Sequence, residues 1–299
     1  MRIRQPGKID KNLWRLGNKE SCIYLLEGSD HSMIVSGGMS CIVPDVLRQL
    51  ETFHIDERRI KKLLILHAHF DHVGIVPFFK RRHPDMEVFA SERAWDLLNT
   101  PQVRATINEF GRAVSDRLGA NEAYETYDLD WRDDITGTAV YAGDKIGFED
   151  AYVNIYETPG HSSCSISAYQ PRLKALFASD AGGIPYRDMI ISSGNSDFTK
   201  YQQSLEKLKG LDVKYICADH YGYLTGDEAR IFLQNAIKAA KERRSSIEDI
   251  FRRTGDMEAT VQEMLDEFYK ENPDYILTPE ISRGVYRQMV RHISNARKK

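Results

Sequence analysis

Lys62-Leu63-Leu64-Ile65-Leu66-His67-Ala68-His69-Phe70-Asp71-His72 runs a compact apolar segment straight into three histidines and an aspartate. The apolar part, 62–66, is short and continuous, the pattern of a strand buried on both faces. The polar part therefore falls on the loop where that strand ends, where α/β proteins place their chemistry. Imidazole nitrogens and carboxylate oxygens at this spacing suit zinc, iron or manganese. So dense a cluster is far more specific than most short motifs. The plainer alternative is a solvated histidine-rich loop.

Three further residues weigh against that alternative. His161 stands in Thr158-Pro159-Gly160-His161-Ser162, a turn at the end of a strand-like run. Asp180 stands in Phe177-Ala178-Ser179-Asp180-Ala181, and His220 closes Ile216-Cys217-Ala218-Asp219-His220. Each alone reads as an ordinary loop histidine or turn aspartate. Each also follows an apolar strand, so all can converge on one sheet edge, and together with the cluster they read as metal ligands.

Outward from the cluster, 13–16, 22–26 and 32–35 read as strands between turns containing Gly and Asp. Val43, Val46, Leu47, Leu50 and Phe53 have helical spacing, with Pro44 near the start. A short helix is expected over 73–79 and a strand over 88–90, an α/β alternation. A helical insertion follows over 92–118, then an irregular segment to about 134. Strands are expected at 139–141, 152–156, 165–168 and 175–177, a helix at 198–211, and a strand at 215–218. Beyond Gly226 the pattern predicts helices at 227–243, 246–269 and 279–296, with Thr278-Pro279 as cap and first turn of the last. The chain thus divides into a domain over 1–226 and a helical extension over 227–299.

Bulk composition excludes several classes. A net charge of −3 over 299 residues gives no global field for nucleic acid or an anionic membrane. No apolar run approaches the roughly 18–20 residues of a membrane span, and 1–16 lacks the apolar centre of a secretion signal. Cys22, Cys41, Cys164 and Cys217 lie far apart, which suits free thiols and a cytoplasmic location. There is no GxSxG elbow, Walker loop or GxGxxG fingerprint. Cys164, three residues past His161, reads as a buried structural thiol rather than a nucleophile.

HAHFDH, then PGH, SD and DH in this order, resembles the metallo-β-lactamase superfamily in its two-metal hydrolase form, over about residues 10–225. The resemblance implies an α/β fold, a four-layer αββα sandwich, here with a C-terminal helical extension that would cap the active site. It implies two divalent transition metal ions, zinc or iron or else manganese. His67, His69 and His161 would hold the first; Asp71, His72 and His220 the second; Asp180 would bridge them. A hydroxide shared by the metals would attack a carbonyl, with Asp71 as the catalytic residue orienting it and shuttling its proton. The opening Pro6-Gly7-Lys8-Ile9-Asp10, the helix containing Ser91-Glu92-Arg93-Ala94-Trp95 and the tail with Pro279-Glu280-Ile281-Ser282-Arg283-Gly284 are similar to PqsE-type quinolone-signal-response thioesterases. That points to a small-molecule acyl substrate and to a homodimer through the C-terminal helices.

Two departures stand out. Many relatives carry Asp in the early strand-end turn, where this chain has Val35-Ser36-Gly37-Gly38, so support for the ligands is expected to differ. Tyr221 and Tyr223 stand where many relatives have small residues, and either can donate to an oxyanion or line the pocket. Arg283, Arg287, Arg291, Arg297, Lys298 and Lys299 read as a solvated face. A thioester or ester hydrolase is the leading reading. Lactone hydrolysis and glyoxalase-II-like cleavage share its chemistry, and a regulatory or interaction protein with a retained metal site is the reading from another class.

Overall fold

The computed structural model describes residues 1–148 and 151–296, so Arg297, Lys298 and Lys299 lie outside the described residues. The chain opens with β1 (Arg2–Ile3), β2 (Gly7–Asp10), β3 (Leu13–Gly17), β4 (Cys22–Glu27) and β5 (Ser32–Val35). Then come α1 (Val43–Thr52), β6 (Ile60–Leu64), α2 (Val76–Arg82), β7 (Glu87–Ser91), α3 (Glu92–Leu98), α4 (Pro101–Arg117), α5 (Glu122–Thr126) and β8 (Thr138–Val140). The second half has β9 (Lys145–Phe148), β10 (Ala151–Glu157), β11 (Ile166–Gln170), β12 (Ala175–Phe177), β13 (Ile184–Tyr186) and β14 (Met189–Ile191). It ends with α6 (Phe198–Leu208), β15 (Tyr215–Cys217), β16 (Tyr223–Thr225), α7 (Asp227–Thr254), α8 (Met257–Glu271) and α9 (Pro279–Ala296).

The strands form two seven-stranded sheets, ordered β2-β3-β4-β5-β6-β7-β8 and β1-β16-β15-β12-β11-β10-β9, with β13-β14 a separate hairpin. Alternation along β4 shows how they pack. Cys22, Tyr24 and Leu26 point between the sheets, against residues such as Phe148, Ile155 and Phe177. Ile23 and Leu25 point outward, beneath Val46 and Leu50 of α1 and Phe79 of α2. On the far side Leu176 and Ile216 meet Leu205 of α6 and Phe232 of α7. This is the αββα sandwich, and central strands covered on both faces explain why their sequences read as unbroken apolar runs.

Several boundaries differ from the sequence expectation. The stretch 92–118 holds two helices: Ser91 caps α3 through the Ala94 N–H, and Pro101 starts α4. The expected break near 244–245 does not occur. The polar run Lys241-Glu242-Arg243-Arg244-Ser245-Ser246 hides a continuous face, since Ala240, Ile247 and Ile250 are all buried in the same cluster. Helix α7 instead ends at Gly255, left-handed at φ 65°, and Asp256 caps α8 through the Ala259 N–H at 2.8 Å. The short strands β1, β2, β13, β14 and β16 carry too little periodicity to be read from sequence.

Candidate metal centre

Leu64 ends β6 at its partner Phe89, and the chain then turns through His67 into a single 3-10 turn, Phe70–His72. His161 lies on the loop between β10 and β11, Asp180 on a 3-10 turn just after β12, and His220 just past β15. The two sheets thus bring all seven predicted ligand residues to one edge. Three overlapping groups form, His67–His69–His161, His67–His72–Asp180 and Asp71–His72–His220, the ligand atoms in each lying within 4.8 Å of one another.

Hydrogen bonds set which nitrogen faces inward. His161 Nδ1 donates to the Ser193 carbonyl at 2.8 Å, and His220 Nδ1 to the Glu20 carbonyl at 2.8 Å. His72 Nδ1 donates to Asp219 Oδ2 at 2.8 Å. With those protons engaged outward, bare Nε2 lone pairs point at the centre. His161 Nε2 and His69 Nδ1 are 3.0 Å apart, His67 Nε2 and His69 Nδ1 3.2 Å, and His220 Nε2 and His72 Nε2 3.1 Å. Nitrogens around a tetrahedral ion with bonds of about 2.0–2.1 Å are separated by about 3.3 Å. Crowding lone pairs at nearly that separation is unfavourable without a cation, so these residues fit a divalent metal. Asp180 sits between the groups: its Oδ2 is 3.5 Å from His161 Nε2 and 3.4 Å from His72 Nε2, its Oδ1 3.8 Å from His220 Nε2.

Ionisation follows from the same packing. Burial holds His67 and His69 below the usual imidazole range, helped by neighbouring histidines, with His69 pushed down to about 3. Burial also lowers His161, against the pull of Asp180. In His72 and His220 burial is outweighed by Asp180 and Asp71, which raise both. Burial opposes ionisation of Asp71 and Asp180, yet His72 and His220 hold both carboxyls below their usual range, Asp71 at about 2. Two carboxylates and a set of imidazoles share one largely buried pocket.

A cavity of about 670 Å³ opens on this centre, with His69, Asp71, His161, Asp180 and His220 on its floor. Its walls come from the insertion (Val103, Ile107, Phe110), from the β13–β14 hairpin (Ile184, Ile190) and from the C-terminal helices (Phe268, Ile281, Val285). Arg117 on α4 donates to the Tyr275 carbonyl at 2.8 Å, tying insertion to extension. Tyr221 lines the cavity, buried at φ 59°, and burial pushes its phenol up. Tyr223 corrects the sequence reading: it lies on β16 among the residues between the sheets, away from the cavity. Cys164 is buried against Ser162 and Ala68, and burial raises its thiol, as a structural cysteine requires. Sequence reasoning missed Asp219, Ser179 and Ser36 as partners of the histidines, and the cavity walls supplied by the insertion and the β13–β14 hairpin; Asp219 and Ser179 adjoin candidate ligands in sequence, but nothing local marks their contacts.

Gly284 of α9 is exposed at the cavity rim, and a Cβ there meets nothing within 4 Å. Packing gives no reason for a mid-helix glycine here, in contrast to Gly111 of α4, whose Cβ would strike the Tyr124 hydroxyl at 2.4 Å. Gly284→Ala is expected to stabilise the protein by about 0.5–1 kcal/mol in chemical denaturation. Gly284→Phe is expected to raise KM by obstructing the rim; unchanged KM would mean that substrate enters elsewhere.

The metallo-β-lactamase superfamily model matches residues 19–220. A metallo-β-lactamase family protein of Thermus thermophilus superposes with a TM-score of 0.68 at 16% identity, over 97% of this chain and 95% of that one. A superfamily protein of Sulfolobus tokodaii gives 0.59 at 18% identity, over 77% and 86%. Rubredoxin:oxygen oxidoreductase of Desulfovibrio gigas gives 0.57 at 16% identity, over 84% and 70%. At such identities the structural likenesses speak for the fold alone, which carries both hydrolases and an oxidoreductase. Among the described residues no helix is long and apolar enough to cross a membrane. Matched by the family model from 19 to 220, across both sheets and all seven candidate ligands, the chain belongs to the metallo-β-lactamase superfamily.

Proposed function

We propose that this chain is a metal-dependent hydrolase that cleaves a thioester or ester of a compact, apolar acyl group. The cavity carries the reading: a charged floor of histidine and aspartate lies under walls that are mainly aliphatic and aromatic. His67, His69 and His161 would hold one divalent cation, Asp71, His72 and His220 a second, and Asp180 would contact both. Bound there, the cations would supply a water-derived nucleophile near neutral pH and polarise the carbonyl.

The chain's own residues do the rest. Phe110, Ile107, Ile281 and Val285 seat the acyl group and exclude bulk water. Asp71, anionic at the cavity floor, takes the proton of the attacking water and passes it to the leaving group. Tyr221, kept protonated by burial, is a cavity-lining phenol that can donate to the carbonyl oxygen. The sequence likeness to quinolone-signal-response thioesterases supports a thioester over a lactone.

The test is a hydrolysis screen of the metal-replete protein on acyl-CoA, acyl-glutathione, lactone and phosphodiester substrates, with elemental analysis of the same sample. Two equivalents of transition metal and fastest turnover of a thioester with a short aliphatic or aryl acyl group are expected. One equivalent or none would sink the two-cation assignment. Turnover confined to phosphodiesters would sink the carbonyl chemistry.

A further inference from the structure

We infer that Asp219 is a positioning residue for the metal centre, supplying from the His220 loop the carboxylate that the Ser36 turn lacks. The inference rests on the metal-centre reading above. Asp219 is 1% exposed, and its Oδ2 collects three donors from three segments: Ser36 Oγ at 2.8 Å, Ser179 Oγ at 2.5 Å and His72 Nδ1 at 2.8 Å. His67 joins through Ser179, whose Oγ lies 3.3 Å from His67 Nδ1. One carboxylate thereby sets the ring orientation of His72 directly and of His67 through a hydroxyl, and these two histidines share a candidate ligand group with Asp180 while each also belongs to one of the other two groups.

Two observations argue that this arrangement serves the ligands rather than packing. The Oδ1 atom of Asp219 is buried with no hydrogen-bond partner, an expensive way to build a core unless nearby positive charge compensates the carboxylate. Moreover, both serines that donate to it hold left-handed backbone, Ser36 at φ 71° and Ser179 at φ 48°. Non-glycine residues adopt that conformation at a cost, and strain of this kind collects where geometry must be held. The carboxylate–histidine pair it supports fixes the tautomer that leaves His72 Nε2 bare and raises its basicity as a ligand.

The experiment is a chelator-competition titration with Zn²⁺ on wild type, Asp219→Asn, Asp219→Ser and the double variant Ser36→Asp/Asp219→Ser, with melting of each metal-free protein alongside. Asp219→Asn keeps size and one acceptor, and is expected to weaken zinc binding about 10-fold; Asp219→Ser about 100-fold. The double variant, which returns a carboxylate from the facing turn, is expected to recover at least tenfold over Asp219→Ser; Asp tolerates the left-handed backbone there. Should Asp219→Ser fail to fold, Asp219→Asn decides alone. Wild-type affinity in Asp219→Asn overturns the inference, as does weakening that merely follows a fall in metal-free melting temperature and is not recovered in the double variant. A wild-type protein that binds no zinc defeats the metal-centre reading itself, which separates the two failures.

Discussion

Asp180→Ala is expected to lower kcat/KM about a thousandfold and to leave at most one tightly bound cation per chain. Asp180 is buried, and its two oxygens face His161, His72 and His220 at 3.4–3.8 Å. Those imidazoles belong to both ends of the seven-residue cluster, so the loss is shared rather than local. A Lewis-acid contribution of several kcal/mol, at about 1.4 kcal/mol per tenfold, corresponds to about three decades in rate. Elemental analysis and kinetics on the best substrate of the screen check this together. A full metal complement with turnover within tenfold of wild type would show that Asp180 is not shared between cations.

Gly160→Ala is expected to cost about 4 kcal/mol and to lower Tm by about 8–15 °C. Gly160 holds φ 130°, and a Cβ there would lie 2.1 Å from the Tyr201 nitrogen and 2.4 Å from its Cα. The obstacle is helix backbone, not the tip of a flexible side chain, so α6 has to move. Gly160 also accepts from the Asp197 N–H at 3.0 Å, and Asp197 caps that helix. His161 is the next residue, so the same displacement disturbs a candidate ligand. Thermal unfolding with and without metal measures both effects. An unchanged Tm would mean that the loop and α6 separate more readily than their packing indicates.

The candidate site was unusually legible because its residues are short-range in sequence. His67, His69, Asp71 and His72 lie within six residues, so their spacing alone displays this part of the candidate ligand set. His161, Asp180 and His220 follow strands, and strand ends at one sheet edge are neighbours whatever the connecting loops do. The fold class was legible for a related reason: strands buried on both faces write themselves as apolar runs. Helix boundaries were less so. The run 241–246 contains no apolar residue and looks like a linker, whereas Arg244 bonds Glu248 at 3.1 Å and Gln202 at 2.9 Å and keeps α7 continuous across it. Tyr223 misled because proximity to His220 in sequence says nothing about which side of a strand a ring takes.

Sequence by itself determined the candidate ligand types, their order and the sheet edge on which they meet, because strand periodicity and local spacing are properties of a few consecutive residues. Tertiary structure alone decided what surrounds them. Ser36, Ser179 and Asp219 stand more than a hundred residues apart along the chain at their extremes, and meet at one carboxylate oxygen because three strands end at the same edge. The cavity walls come from α4, the β13–β14 hairpin, α8 and α9, which share no pattern in sequence and converge through hydrophobic burial. Burial is non-directional, so no local signal announces which apolar residues will face a substrate rather than one another.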